Sequence, residues 1–120
     1  MILIVDDHLD TGAMLARLLR GSGYDAIAVT SGKAALLMLP NVRADLVILD
    51  KCMPDLSGLD VLRTMRSDAL LRSIPVIMYS ADDDDEERIE AKRLGAQDYL
   101  VKGSTPWDVV RSTVSRYADA

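Results

Sequence analysis

Five short apolar runs alternate with longer stretches of helical spacing, and that alternation constrains the fold more than any other feature of the chain. The runs are Ile2–Val5, Ala26–Val29, Leu46–Leu49, Val76–Tyr79 and Tyr99–Val101, each bounded by turn or charged residues. The third and fourth are apolar nearly throughout, as strands buried on both faces are. Between the runs, Met14, Leu15, Leu18 and Leu19 make a stripe stopped by Gly21 and Gly23. Ala35, Leu36 and Leu39 make a second, opened at Ser31-Gly32 and closed by Pro40; Val61, Leu62 and Met65 make a third. Ile89 and Leu94 make a fourth, ended by Gly95. Thr105 as N-cap, Pro106 at the first helical position and Asp108 three residues after the cap open a fifth. The pattern predicts a (βα)5 fold: a parallel sheet with right-handed crossovers and helices on both faces, a three-layer α/β sandwich.

Composition narrows the class. The 120 residues fit one domain, 1–120, long enough for a core without staples. No repeat, linker or second domain is visible, so the chain reads as a stand-alone domain or as part of a longer protein. A hydrophobic share of 49% excludes disorder. Fourteen basic against 19 acidic side chains give a net charge of −5, which argues against direct binding of nucleic acid. A single cysteine, Cys52, excludes an internal disulfide framework and a thiolate zinc cage. The first apolar run meets Asp6 and Asp7 far short of a signal-peptide core or a membrane span. A cytoplasmic protein with no membrane attachment is expected.

In open parallel sheets, ligands sit beyond the carboxyl ends of the strands, at the point where strand order switches. Asp6-Asp7 follow the first strand, Asp50 the third, Ser80 the fourth and Lys102 the fifth. Three carboxylates on one rim repel one another, by about 4 kcal/mol per pair at ~4 Å in an effective dielectric of roughly 20. Protonation relieves this. A hard divalent cation relieves it better, and Mg²⁺, held by one or two carboxylates with waters and phosphate oxygens, suits an all-oxygen set; Mn²⁺ is the substitute. Lys102 balances remaining charge, and the Ser80 hydroxyl is available to an incoming oxygen.

The segments I-L-I-V-D-D, L-V-I-L-D-K-C-M-P-D-L-S-G, P-V-I-M-Y-S-A and G-A-Q-D-Y-L-V-K resemble, over essentially the whole chain, the receiver domain of bacterial two-component response regulators. The separations of Asp50 from Ser80, 30 residues, and of Ser80 from Lys102, 22 residues, agree with that family. The resemblance implies a flavodoxin-like sheet of order 2-1-3-4-5. It implies that Asp50 is the phosphoacceptor, taking a phosphoryl group from a histidine kinase or histidine phosphotransfer protein in a phosphorelay. Asp7, Asp50 and the Cys52 backbone carbonyl would be direct metal ligands, with Asp6 acting mainly through water. Lys102 and Ser80 would hold phosphoryl oxygens, and Ser80 and Tyr99 would form the switch, Tyr99 turning inward once Asp50 is modified. A partner or a second copy would then read the face around Tyr99 and Trp107. The domain would catalyse its own phosphorylation and dephosphorylation, not turn over a released substrate. Gly58 matches a family glycine, expected here to permit an unusual backbone angle.

The chain departs from the family at Gly103, where most receivers carry proline after the lysine. A cis bond there would cost a non-proline residue about 2.5–4 kcal/mol, so a trans Lys102–Gly103 peptide is expected. By the resemblance, Cys52 and Asp82 occupy positions that often tune the phosphoryl lifetime in the family, and the residues alone leave that lifetime open. The acidic run from Asp82 to Glu87 reads as a solvated helix start. His8 reads as solvent-facing and not as a ligand, and Met14, Met38, Met65 and Met78 as core filler. Trp107 packs under the last helix or stands on the output face; the second is favoured.

Rival functions fit less well. A flavin carrier needs a Ser/Thr/Gly-rich phosphate loop where this chain has Asp6-Asp7-His8. An Asp-x-Asp phosphatase needs its two acids spaced by one residue, and here they are adjacent. A P-loop fails because position 27 is Ile27. A receiver-like module that no longer takes phosphate would not need the full set of Asp50, acidic pair, Ser80 and Lys102.

Overall fold

Each apolar run forms a strand and each strand is followed by a helix. In the computed structural model, which describes residues 1–119, the elements are β1 (Ile2–Val5), α1 (Leu9–Gly21), β2 (Ala26–Val29), α2 (Gly32–Met38), β3 (Leu46–Leu49), α3 (Gly58–Ser67), β4 (Val76–Ser80), α4 (Asp85–Arg93), β5 (Asp98–Val101) and α5 (Trp107–Ala118), with a 3-10 turn at Leu39–Asn41. The strands pair in parallel in the order β2-β1-β3-β4-β5, as the resemblance implies. The two-residue period of each strand sorts its side chains to opposite faces. Leu3, Val5, Val47, Leu49, Val76, Met78 and Tyr99 pack with Val61, Leu62 and Met65 on the side of α3. Ile2, Ile4, Leu46, Ile48, Ile77 and Leu100 pack on Leu15, Leu19, Val110 and Val114 of α1 and α5.

The helices depart from the expected stripes in three places. The buried face of α1 runs through Gly12, Leu15, Ala16 and Leu19, which leaves Met14 56% exposed; Met14 is not core filler, whereas Met65 and Met78 are. Ile89 is 67% exposed, and Ala91 is the buried residue of α4, so the Ile89–Leu94 stripe does not face the core. Thr105 does not cap α5. Its Oγ1 accepts the Val101 N–H at 3.1 Å, and the helix starts at Trp107 behind Pro106. The Ser31 cap of α2 does form, with Oγ accepting the Ala34 N–H at 3.1 Å. Helix α5 ends at Ala118, with Asp119 as its C-cap.

Candidate functional site

Strand register decides which rim residues become neighbours. Val5 stands opposite Leu49, so Asp6 and Asp50 leave adjacent strands side by side, and the Asp50 N–H donates to the Val5 carbonyl at 2.8 Å. Ser80 closes β4 opposite Val101, and the Lys102 N–H donates to the Ser80 carbonyl at 2.7 Å. The sheet therefore delivers Asp6, Asp7, Asp50, Ser80 and Lys102 to one edge.

Within that edge, ligand atoms of Asp6, Asp7, His8 and Asp50 lie within 4.8 Å of one another. Lys102 Nζ donates to Asp6 Oδ2 at 2.7 Å and sits 3.4 Å from Asp50 Oδ2. The second Asp6 oxygen is also engaged, accepting the His8 N–H at 2.9 Å. Asp7 Oδ1 is buried with no hydrogen-bond partner. Burial pushes the Asp50 carboxyl up to about 6; the Lys102 charge opposes this and the Asp6 charge adds to it. Burial pulls the Lys102 ammonium down, but its bond to Asp6 and the charge of Asp50 outweigh that and leave it above the usual lysine value. A donor set of three carboxylates, Asp6 and Asp50 buried and Asp7 half-buried with one oxygen that accepts no hydrogen bond, suits a divalent cation.

The loop after Asp50 is held by backbone. A Cβ on Gly58 would lie 2.1 Å from the Asp50 carbonyl oxygen, so glycine is required here for close approach. Its φ is not positive, which corrects the expected reason. The Gly58 N–H donates to the Lys51 carbonyl at 2.7 Å, and Asp55 in the same loop accepts the Lys33 N–H at 2.9 Å at the head of α2. Cys52 is exposed in this loop. The described peptide bonds are all trans, Lys102–Gly103 included, and Gly103 adopts φ +80.

Ser80 and Tyr99 meet at one residue. Ser80 Oγ accepts the Asp82 N–H at 3.2 Å, and the Tyr99 hydroxyl donates to the Asp82 carbonyl at 2.9 Å. The Tyr99 ring is already buried, with the Arg88 guanidinium 5.0 Å from its centroid. Trp107 lies elsewhere. It packs with the α1 and α5 core and borders a groove shared with Met14, Leu18 and Tyr79. Tyr99 belongs to the core on the other side of the sheet. The single face expected around Tyr99 and Trp107 is therefore two surfaces, because Tyr99 leaves β5 towards α4, whereas Trp107 opens α5 and turns towards α1.

Sequence reasoning missed Lys51. Its Nζ pairs with Glu87 and stands 3.4 Å from Asp82 Oδ2, which ties the loop after Asp50 to the start of α4. The acidic run is thus a capped helix start, as expected, with Asp84 accepting the Glu86 N–H, but two of its members serve a tertiary contact. A lone lysine inside an apolar motif was the available signal. His8 is 70% exposed, as expected, yet its Nδ1 stands 3.2 Å from Asp7 Oδ1.

Residues 2–113 match the family model described as the response regulator receiver domain. The chain belongs to the response regulator receiver domain family. Its curated relatives include the DNA-binding response regulator MtrA of Mycolicibacterium paratuberculosis, 35% identical over 96% of this chain and 50% of that protein. The two-component response regulator ORR3 of Oryza sativa subsp. indica is 37% identical over 92% of this chain and 85% of its own length. Among solved structures, the chemotaxis protein CheY4 of Vibrio cholerae matches with a TM-score of 0.89 at 28% identity, covering 97% of this chain and 96% of that one. This receiver domain spans about half the length of the mycobacterial relatives it matches. Its place is in two-component signalling. No helix among the described residues is long and apolar enough to cross a membrane.

Proposed function

We propose that residues 1–120 form one receiver domain in which Asp50 takes a phosphoryl group from a phosphohistidine, on a histidine kinase or a histidine phosphotransfer protein, with Mg²⁺ or Mn²⁺ as cofactor. One observation carries this reading: Asp50 is buried among carboxylates, with the Lys102 ammonium 3.4 Å away and Asp7 Oδ1 left without a partner. Both Asp6 oxygens are committed, to His8 N–H and to Lys102, so Asp6 would act through water. Asp7 and Asp50, with the Cys52 backbone carbonyl, would hold the metal directly. A bound divalent ion supplies charge neutralisation for the carboxylates and for the phosphoryl oxygens.

The chain's own residues do the rest. An Asp50 carboxylate oxygen attacks phosphorus; the O–P bond forms as the P–N bond breaks, and that electron pair stays on the donor imidazole. Lys102 exchanges its Asp50 contact for a phosphoryl oxygen. The Ser80 hydroxyl donates to another, which loosens its bond to Asp82. Tyr99, bonded to the other side of Asp82, senses that change, and α4 moves with it. A downstream protein or a second copy reads the altered surface next to Tyr99. The domain acts on itself, in the cytoplasm, without contacting nucleic acid. The test is incubation with acetyl phosphate, with and without Mg²⁺, followed by intact-mass measurement. Wild type gains one phosphoryl group only with the metal, and Asp50→Asn gains none; labelling of the variant would end the assignment.

A further inference from the structure

The receiver reading leaves His8 without a task, yet its ring is turned onto the acidic group. The His8 N–H bond to Asp6 Oδ1, at 2.9 Å, holds the residue in extended conformation at the head of α1. From there, Nδ1 stands 3.2 Å from Asp7 Oδ1 and 3.4 Å from Asp6 Oδ1. Adjacent ligands of an octahedral ion with bonds of ~2.1 Å are about 3 Å apart. The imidazole nitrogen and Asp7 Oδ1 are thus spaced as neighbours on one ion. Asp7 Oδ1 accepts no hydrogen bond from that ring, so its lone pairs are not already used. The ring is 70% exposed, and no packing opposes the small adjustment that ligation needs.

We propose that His8 Nδ1 is a nitrogen ligand of this site, and that the resulting mixed nitrogen and oxygen set takes borderline divalent transition ions, of the Mn²⁺ and Co²⁺ class, ahead of Mg²⁺. Carboxylates and waters serve Mg²⁺ and Mn²⁺ alike, whereas an imidazole strengthens binding along the first-row series and adds little for strongly hydrated Mg²⁺. The inference rests on the metal-holding role given above to Asp7 and Asp50, and it concerns which ion they hold.

Calorimetric affinities for Co²⁺ and Mg²⁺ on the 120-residue chain, wild type and His8→Ala, test it, together with pulsed EPR of the Mn²⁺-loaded proteins. The variant is expected to lose at least about tenfold in Co²⁺ affinity, the lower end of what removing a supporting group costs a metal site. Its Mg²⁺ affinity stays within about twofold. The ¹⁴N coupling of a bound imidazole is present in wild type and absent from the variant. Equal Co²⁺ affinities, or a wild-type spectrum without nitrogen coupling, overturn the role of His8, while Mg²⁺-dependent labelling of Asp50 in wild type leaves the receiver reading standing. Failure of wild type to bind either ion overturns both. Matching unfolding temperatures without metal show that the variant is folded.

Discussion

Asp50 is held where its own charge is unwelcome, and that burial has a thermodynamic signature. Its folded pKa, raised to about 6, lies above the value in the unfolded chain. The folded state therefore binds the extra proton, and the stability this contributes is present at low pH and lost as pH rises through about 6. In metal-free buffer at pH 7.5, Asp50→Asn should stabilise the fold by ~1–2 kcal/mol, the full shift being discounted for a cleft open to solvent. That advantage should shrink towards pH 5, and a variant less stable than wild type in EDTA would contradict it. Gly58 carries the opposite expectation. A Cβ 2.1 Å from the Asp50 carbonyl oxygen forces backbone apart, so Gly58→Ala should cost at least ~2 kcal/mol by urea titration and slow the labelling of Asp50. An unchanged midpoint would mean the loop relaxes freely.

Among the elements, α4 is held differently from its neighbours. Helix α3 buries Val61, Leu62 and Met65, whereas α4 buries Ala91 and turns Ile89 to solvent. Polar contacts replace the missing apolar ones: Lys51 with Glu87 and Asp82, Arg88 with Asp83, and Tyr99 with the Asp82 carbonyl. A helix so anchored opens at low cost and is suited to a signalling surface. Lys51→Ala should lower the opening free energy of α4 by about 1 kcal/mol, the upper end for part-exposed pairs, and speed amide exchange over residues 85–93 about fivefold. Amides of α1 should not change, and Lys51→Arg should restore protection. Equal acceleration in both helices would mean general destabilisation and not a local tether.

At the scale of the whole molecule, the sheet concentrates acids at one end of a chain that already carries a net charge of −5. An ion that binds the folded state alone adds stability by mass action: at ~100 times its dissociation constant, Mg²⁺ should add about 2.7 kcal/mol and raise the melting temperature by roughly 10 °C. Asp7→Asn should lose most of that gain, because it replaces a buried carboxylate oxygen at the rim that accepts no hydrogen bond. A melting temperature indifferent to the metal would count against the site. The alternation of strands with helices and the places of Asp6, Asp7, Asp50, Ser80 and Lys102 at strand ends were legible in the residues alone, because hydrophobic period and position at a strand end are local properties, whereas strand order followed only from the family resemblance. The exposure of Met14 and Ile89, the separation of Trp107 from Tyr99 and the close approach at Gly58 were not. Nor were the partners of Lys51, which lie 31 and 36 residues away in the chain. Those features depend on how distant segments dock and how each helix turns about its own axis, and only the assembled packing of helices on the sheet decides them.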